Sequence, residues 1–153
     1  MGKKYFQTIV NKKALFDYTV LETIEAGVVL SGPEAKSVRL GQTSLADSFV
    51  LINPSGLNIH HWVITPYKYA RQEDYEPTQP RKLLLHKREI EHLRGVLTQQ
   101  KVSLIPLKVF QKKNKFKVEL GICRGKKQYE KRDLLKARDI QRDIDREMKE
   151  YRY

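Results

Sequence analysis

The sequence predicts a mainly β fold with added helices: a small closed β-barrel of about six strands, followed by a charged C-terminal helix. Three observations carry this. Short runs of β-branched and aromatic residues, bounded by Gly, Pro and Asn, recur across residues 14–124. Only two stretches in that span have helix signals. From Gly125 onward the pattern changes to one long helical period.

Tyr18 to Ile24 is rich in β-branched and aromatic residues and reads as the first strand, with Gly27 permitting a bend before Val28 to Leu30. Ser31 or Gly32 can cap a short helix, Pro33 suits its first turn, and Glu34 complements its dipole. That helix ends near Leu40, with Gly41 as its stop. Ser48–Ile52 and Leu57–Ile64 flank Asn53-Pro54-Ser55-Gly56 and form a hairpin. Residues 65–80, with three prolines, read as a long ordered loop. Arg81 to Leu85 is basic and then apolar. A helix follows from His86 to Leu97, with Ile90, Leu93 and Leu97 at helical spacing. Val102–Gln111 is a strand in which Pro106 implies an edge position or a bulge. After a Lys-rich turn, Phe116, Val118, Leu120 and Ile122 alternate with Lys117, Glu119 and Gly121, the period of a half-buried strand. A barrel of this kind suggests the oligonucleotide-binding type, by analogy alone.

Three segments follow: a mobile basic N-terminus at 1–13, a barrel domain at 14–124, and a basic junction with a tail at 125–153. In the tail, Ala137, Ile140, Ile144, Met148 and Tyr151 make one narrow apolar stripe. From Arg124 to Ala137 six basic residues face two acidic ones, whereas from Arg138 onward five of each cancel. The positive focus therefore lies at the junction. A helix of this length with little to pack on is marginal in water, so the tail is expected to be disordered when free and helical when bound.

Thirty Lys and Arg against eighteen Asp and Glu give the 153-residue chain a net charge of +12. Such a surface attracts polyanions, nucleic acid first among them. The lone Cys123 excludes an internal disulfide. With neither a signal-peptide pattern nor an apolar run of roughly 20 residues, a cytosolic protein without a membrane is expected.

Enzyme chemistry finds little support. Cys123 has no assigned partner histidine and reads as a buried strand residue. His60 and His61 are adjacent on a strand and point to opposite faces. His86 and His92 fall on different faces of a helix. No zinc-ligand spacing occurs. Gly121 and Gly125-Lys126-Lys127 miss the P-loop spacing by one residue, and no Ser or Thr follows. Asp47, Glu22 and Glu25 fit barrel-rim carboxylates better than catalytic ones. The expectation is no catalysis, no metal and no cofactor. Paired cations are more telling: Arg81-Lys82, Lys87-Arg88, Lys112-Lys113, Arg124, Lys126-Lys127 and Lys131-Arg132, with Tyr67, Tyr69, Tyr75 and Tyr129 near them. Rings stack on unpaired bases while cations hold the backbone.

Several motifs occur in one order: Glu22-Thr23-Ile24-Glu25-Ala26-Gly27, Glu34-Ala35-Lys36-Ser37-Val38-Arg39, Asp47-Ser48-Phe49, Ile64-Thr65-Pro66-Tyr67, Arg81-Lys82-Leu83-Leu84-Leu85-His86-Lys87-Arg88-Glu89, Pro106-Leu107-Lys108-Val109 and Arg124-Gly125-Lys126-Lys127-Gln128-Tyr129-Glu130-Lys131-Arg132. Together, over roughly residues 11–136, they resemble the small protein B family. The resemblance implies an oligonucleotide-binding-type barrel that binds the tRNA-like domain of tmRNA in the cytoplasm. It implies help for that RNA, charged with alanine and carried by elongation factor Tu, to enter a ribosome stalled on a message without a stop codon. The nascent chain is then tagged for degradation, which is trans-translation. The tail would occupy the decoding centre and the empty message channel, against small-subunit ribosomal RNA.

By the same resemblance, Glu25, Leu84, His86 and Lys117 lie on the tmRNA-binding face, with Lys36, Arg39, Arg81, Lys82 and Lys87 as its basic residues. Glu25 would accept hydrogen bonds from base or ribose donors. Lys126, Lys127, Lys131 and Arg132 would engage ribosomal RNA, and Tyr129 would stack on a decoding-centre base. The free protein is expected to be a monomer. Departures from the family pattern are His86 for a common asparagine, Ile24 for an aromatic residue, Pro33 and Ala35 at the first helix, and Gln79-Pro80 where a basic and a small polar residue are common.

Overall fold

The structure, a computed structural model, describes residues 7–71 and 73–150. Its frame is two eleven-residue strands, β2 (Tyr18–Val28) and β9 (Lys115–Gly125). They pair antiparallel from Tyr18↔Gly125 to Gly27↔Lys117, with a register shift between Val20 and Glu22. In chain order the other elements are β1 (Ile9–Val10), α1 (Lys12–Asp17), α2 (Gly32–Arg39), β3 (Thr43–Ser44), β4 (Phe49–Asn53), β5 (Gly56–His60), β6 (Val63–Ile64), β7 (Arg81–Leu84), α3 (Lys87–Gln99), β8 (Ser103–Lys112) and α4 (Gln128–Glu150). The main sheet runs β1-β8-β9-β2-β7-β5-β4, all antiparallel, and β3-β6 is a separate ribbon.

The expected mainly β fold with added helices is present, but the closed barrel is not. Among the described residues no ladder joins β4 to β8, although the two run side by side. A cleft of about 910 Å³ lies between them, lined by Phe49–Asn53, Ser103–Ile105 and the α3 residues Arg94, Leu97 and Thr98. Closure needs an unbroken, correctly staggered edge. The outer edge of β8 is interrupted: β1 occupies it at Lys108 and Val109, Pro106 has no N–H to donate, and the β8–β9 register shifts between Pro106 and Lys108. The proline therefore marks a bulge, as expected. More than six strands form because β1, β3 and β6 are two-residue pieces below what hydrophobic periodicity detects.

Local signals explain most boundaries. Ser31 accepts from the Glu34 N–H, and Glu34 accepts from the Ser31 N–H, a reciprocal cap on α2. Gly41, with φ +77°, ends it. Lys113 and Asn114 both have positive φ, 50° and 62°, as a two-residue hairpin turn requires. The run predicted over Leu57–Ile64 breaks at His61, whose φ is 59°. Strand alternation stops there, so the rings of His60 and His61 both meet Phe49, at 5.5 and 5.2 Å, rather than facing apart.

The core gathers Val38, Leu57, Ile59, Trp62, Ile64, Leu83, Leu93, Leu104, Val109, Val118, Leu120 and Ile122, all buried. A second, smaller cluster of Ala14, Ile105, Leu107 and Cys123 lies under α1, on the other face of β8 and β9. This is why Gly121 is buried too: a Cβ there would stand 2.7 Å from Leu107 Cδ1. Residues 9–17, which the sequence divided between a mobile arm and the barrel, form β1 and α1. Ile9 and Val10 pair with Val109 and Lys108. Buried Asn11 caps α1 and donates to the Leu45 and Pro106 carbonyls at 3.1 and 2.9 Å.

Candidate nucleic-acid interface

Register places one cluster. Gly27 pairs with Leu84 on one side and with Lys117 on the other, so these three stand in a row across three strands. A Cβ on Gly27 would lie 3.3 Å from Leu84 Cβ. The glycine thus leaves a trough between a half-exposed leucine and a lysine. His86, the N-cap residue of α3, follows β7 by two residues. Glu25 lies two residues before Gly27 on β2, so its side chain takes the same face. Glu25, Leu84, His86 and Lys117 accordingly line one hollow of about 600 Å³, with Ala35 of α2, Lys115 and Phe116. The structure brings together the four residues that the resemblance assigned to one face.

Charge surrounds this hollow. Arg39 holds its guanidinium 5.9 Å from the centre of the Phe116 ring. Lys36, exposed on α2, lies 5.3 Å from the Tyr67 ring. Lys82 is exposed on β7 and alternates with buried Arg81 and Leu83, so it shares the face of Leu84. Lys87 is the first exposed residue of α3. Glu25 is partly paired: Lys112 Nζ lies 3.5 Å from its carboxylate.

Arg81 does not belong to this surface. Its side chain is 2% exposed, and Nε donates to Glu34 at 2.5 Å. The other guanidinium nitrogens donate to the Trp62 carbonyl, the Pro77 carbonyl and the Tyr75 hydroxyl. The expected RNA contact is therefore a buried clamp. It pins the 65–80 loop to β7, helped by Gln79 donating to Glu34 at 3.3 Å and Tyr75 donating to the Ile64 carbonyl at 3.0 Å. Burial pushes the Glu34 carboxyl up, but the Ser31 N–H and the Arg81 guanidinium outweigh it and hold the group below its ordinary range. Sequence reasoning had assigned Glu34 only to the helix dipole. No local signal pairs residues 47 positions apart.

The second cluster lies at the other end of the β2–β9 ladder, roughly 30 Å away at ~3.3 Å per strand residue. There the chain leaves β9 at Gly125 and enters α4 at Gln128. Lys127, Tyr129 and Arg132 are exposed. Lys126 and Lys131 are engaged: Lys126 donates from its backbone to the Asp17 carbonyl at 2.9 Å and from Nζ to the Leu15 carbonyl at 3.0 Å, and Lys131 pairs with Asp17 at 3.3 Å. Further along, Arg138 lies 5.3 Å from the Phe16 ring. Sequence reasoning missed this seat on α1. No residue of α4 is buried, and Ile140, Ile144 and Met148 are open to solvent. Tyr151, the last residue of the predicted stripe, lies outside the described residues.

Among the described residues no three His, Cys, Asp or Glu gather as a metal site. Burial pushes the Cys123 thiol up to about 11, so it holds no thiolate at neutral pH. Among the described residues no helix is long and apolar enough to cross a membrane.

Comparison with known proteins fits this geometry. The family profile described as SmpB protein matches residues 8–150. The chain belongs to the SmpB family. The SsrA-binding protein of Chlorobaculum tepidum is 44% identical over 149 residues, covering 97% of this chain and 95% of the relative. The SsrA-binding protein of Chloroflexus aurantiacus is 46% identical over 144 residues, covering 94% and 90%. A chain of the solved structure reported as "tmRNA-SmpB: a journey to the center of the bacterial ribosome" is similar with a TM-score of 0.66 and 38% identity, covering 79% of this chain and 85% of that one. This SmpB family member thus has relatives named for binding SsrA, and its two basic clusters stand at opposite ends of one strand ladder.

Proposed function

We propose that the chain is not an enzyme but an RNA-binding protein of trans-translation. It binds the tRNA-like domain of tmRNA in the hollow of Glu25, Leu84, His86 and Lys117 and brings that RNA, alanine-charged and carried by elongation factor Tu, to stalled ribosomes in the cytoplasm. The observation that carries the reading is the convergence of those four side chains on one hollow in a member of the SmpB family. In such a site Glu25 accepts from base or ribose donors, Leu84 offers an apolar contact, and Lys36, Arg39, Lys82, Lys87 and Lys117 neutralise phosphates.

The junction has a separate task. Lys126, Lys127, Lys131 and Arg132 engage small-subunit ribosomal RNA, and Tyr129 stacks in the decoding centre while the tail follows the empty message channel. Lys126 and Lys131 must first let go of α1. An exposed helix without buried contacts is marginal in water, which supports a tail that is disordered in the free monomer and ordered by the ribosome.

The test is binding to the isolated tRNA-like domain against ordinary alanine tRNA across a salt series. A chain of charge +12 binds any RNA at low salt. Preference for the tRNA-like domain that persists at moderate salt is expected. Equal binding to both, vanishing together as salt rises, would refute the reading.

A further inference from the structure

Of the four tyrosines that stand near cations in the sequence, the structure spends Tyr75 on the buried clamp and leaves Tyr129 on the tail. Tyr67 and Tyr69 form a pair with no place in either cluster above. Their ring centres lie 5.6 Å apart at 68°, edge to face. Tyr69 is 77% exposed, the most exposed large hydrophobic side chain among the described residues. A tyrosine ring in that position keeps little of its surface from water, and nothing in the core requires it. Cations frame the pair: Lys36 lies 5.3 Å from the Tyr67 centre and Lys68 lies 5.1 Å from that of Tyr69, with exposed Arg71 following. The acidic Glu73 and Asp74 come after them on the same loop.

The pair sits on a fixed support. The Thr65 N–H donates to the Gln42 carbonyl at 3.0 Å, and the Ala70 N–H closes a turn onto the Tyr67 carbonyl at 3.0 Å. The far end of the loop is pinned where Arg81 donates to the Pro77 carbonyl at 3.0 Å. A long loop tied at both ends by hydrogen bonds holds its rings in a narrower range of positions, which lowers the ordering loss on binding. The pair also lies across α2 from the RNA hollow. Ala35 of that helix lines the hollow, Arg39 lies over Phe116 in its wall, and Lys36 beside them places its Nζ 5.3 Å from the Tyr67 ring. A helix is about 10 Å wide, so one folded RNA can meet both surfaces.

We propose that Tyr67 and Tyr69, with Lys36 and Lys68, form a second RNA-contact site, a stacking platform for an unpaired base of the same tmRNA that occupies the hollow. Every base has a π-face, and ring stacking with adjacent cations suits an unpaired nucleotide without reading its identity. This site rests on the proposed binding of the tRNA-like domain.

The experiment compares the full chain with Tyr69→Ala, Tyr69→Phe and Lys68→Ala for binding to the isolated tRNA-like domain at moderate salt. Tyr69→Ala should weaken binding on the order of tenfold, Tyr69→Phe should stay near the parent because stacking needs the ring, and Lys68→Ala should flatten the salt dependence. Unchanged melting of each variant separates this from a fold defect. A photo-reactive residue at position 69 should crosslink to an unpaired nucleotide of the tRNA-like domain. Unchanged affinity of Tyr69→Ala, or equal losses for Ala and Phe, would overturn the platform. So would crosslinking only to ribosomal RNA or to a ribosomal protein. If the parent chain itself shows no preference for the tRNA-like domain, the proposed function fails first, and the failure is told apart from that of the platform.

Discussion

Arg81 offers the sharpest division between a structural and an RNA-binding role, because the sequence motif invites the second and the structure shows the first. Changing Arg81→Met keeps a long unbranched side chain and removes the guanidinium. Glu34, 4% exposed, is then left as a buried carboxylate without its partner, and the Trp62 and Pro77 carbonyls each lose a donor. Breaking a buried pair on one side typically costs about 3–5 kcal/mol. At roughly 2–4 °C per kcal/mol for a chain of this size, melting should fall by roughly 6–20 °C. The double variant Arg81→Met with Glu34→Leu should recover part of that loss, since no orphan charge remains. Thermal and denaturant unfolding at pH 7 measure both. The sign with pH follows from Glu34: its folded carboxyl lies below the ordinary 4.5, so its stabilisation is complete above that value and lost as pH falls through the folded pKa. A Glu34→Gln variant should lack that acid dependence. RNA titration provides the opposing result. If Arg81→Met left melting untouched but lowered the salt slope of RNA binding by about one unit, Arg81 would be a phosphate contact, and the clamp argument would be refuted.

Further expectations follow from the same geometry. Gly121→Ala places a Cβ 2.7 Å from Leu107 Cδ1, and unfolding should show a loss of about 1–3 kcal/mol from overpacking. Removing residues 125–153 should keep affinity for the tRNA-like domain nearly intact while abolishing peptide tagging in a reconstituted translation system. Loss of RNA binding on truncation would contradict the division between hollow and tail. Lys126→Ala with Lys127→Ala should likewise spare RNA affinity and reduce accommodation, read by the tagging yield. Hydrogen exchange on the free chain should find the α4 amides beyond Arg138 unprotected, whereas slow exchange there would show a helix that is stable alone.

The parts of the fold legible in the sequence are those coded by neighbours. The cap of α2 lies in Ser31-Gly32-Pro33-Glu34, and the strand Phe116–Ile122 in its alternation, because both depend on residues within a few positions. What the sequence hid depends on distant partners. Arg81 has a local reading as an RNA contact and Glu34 as a partner of the helix dipole, and only packing 47 positions apart turns them inward. The expected barrel closure follows from a strand count, which carries no information on whether the facing edges pair; β4 and β8 do not, and β8 carries Pro106 and the short strand β1 on that side. The hollow was legible only through family resemblance. Glu25, Leu84 and Lys117 come from three strands, and no periodicity announces that Gly27 pairs with two of them. The seat of α4 on α1 was invisible for the same reason, since Asp17 and Lys131 are linked by topology alone.

The β2–β9 ladder gives these pieces a common logic. An antiparallel pair of eleven-residue strands, bonded along nearly its whole length with one register shift between Val20 and Glu22, separates its two ends, and near the Gly125 end Cys123 packs beside Ala14 of α1. Its Gly27–Lys117 end carries the hollow, and its Tyr18–Gly125 end carries the root of the tail. The root is held by the Lys126 N–H on the Asp17 carbonyl, one residue before β2 begins, and by the Lys131–Asp17 pair at the start of α4, a helix that otherwise buries nothing. Whatever RNA sits in the hollow is therefore kept roughly 30 Å from the point where the tail departs. A flexible joint anywhere along the ladder would uncouple them. Since each strand residue adds ~3.3 Å, that separation depends on the length of the two paired strands, while α4 beyond its root stays free to take whatever course its binding site imposes.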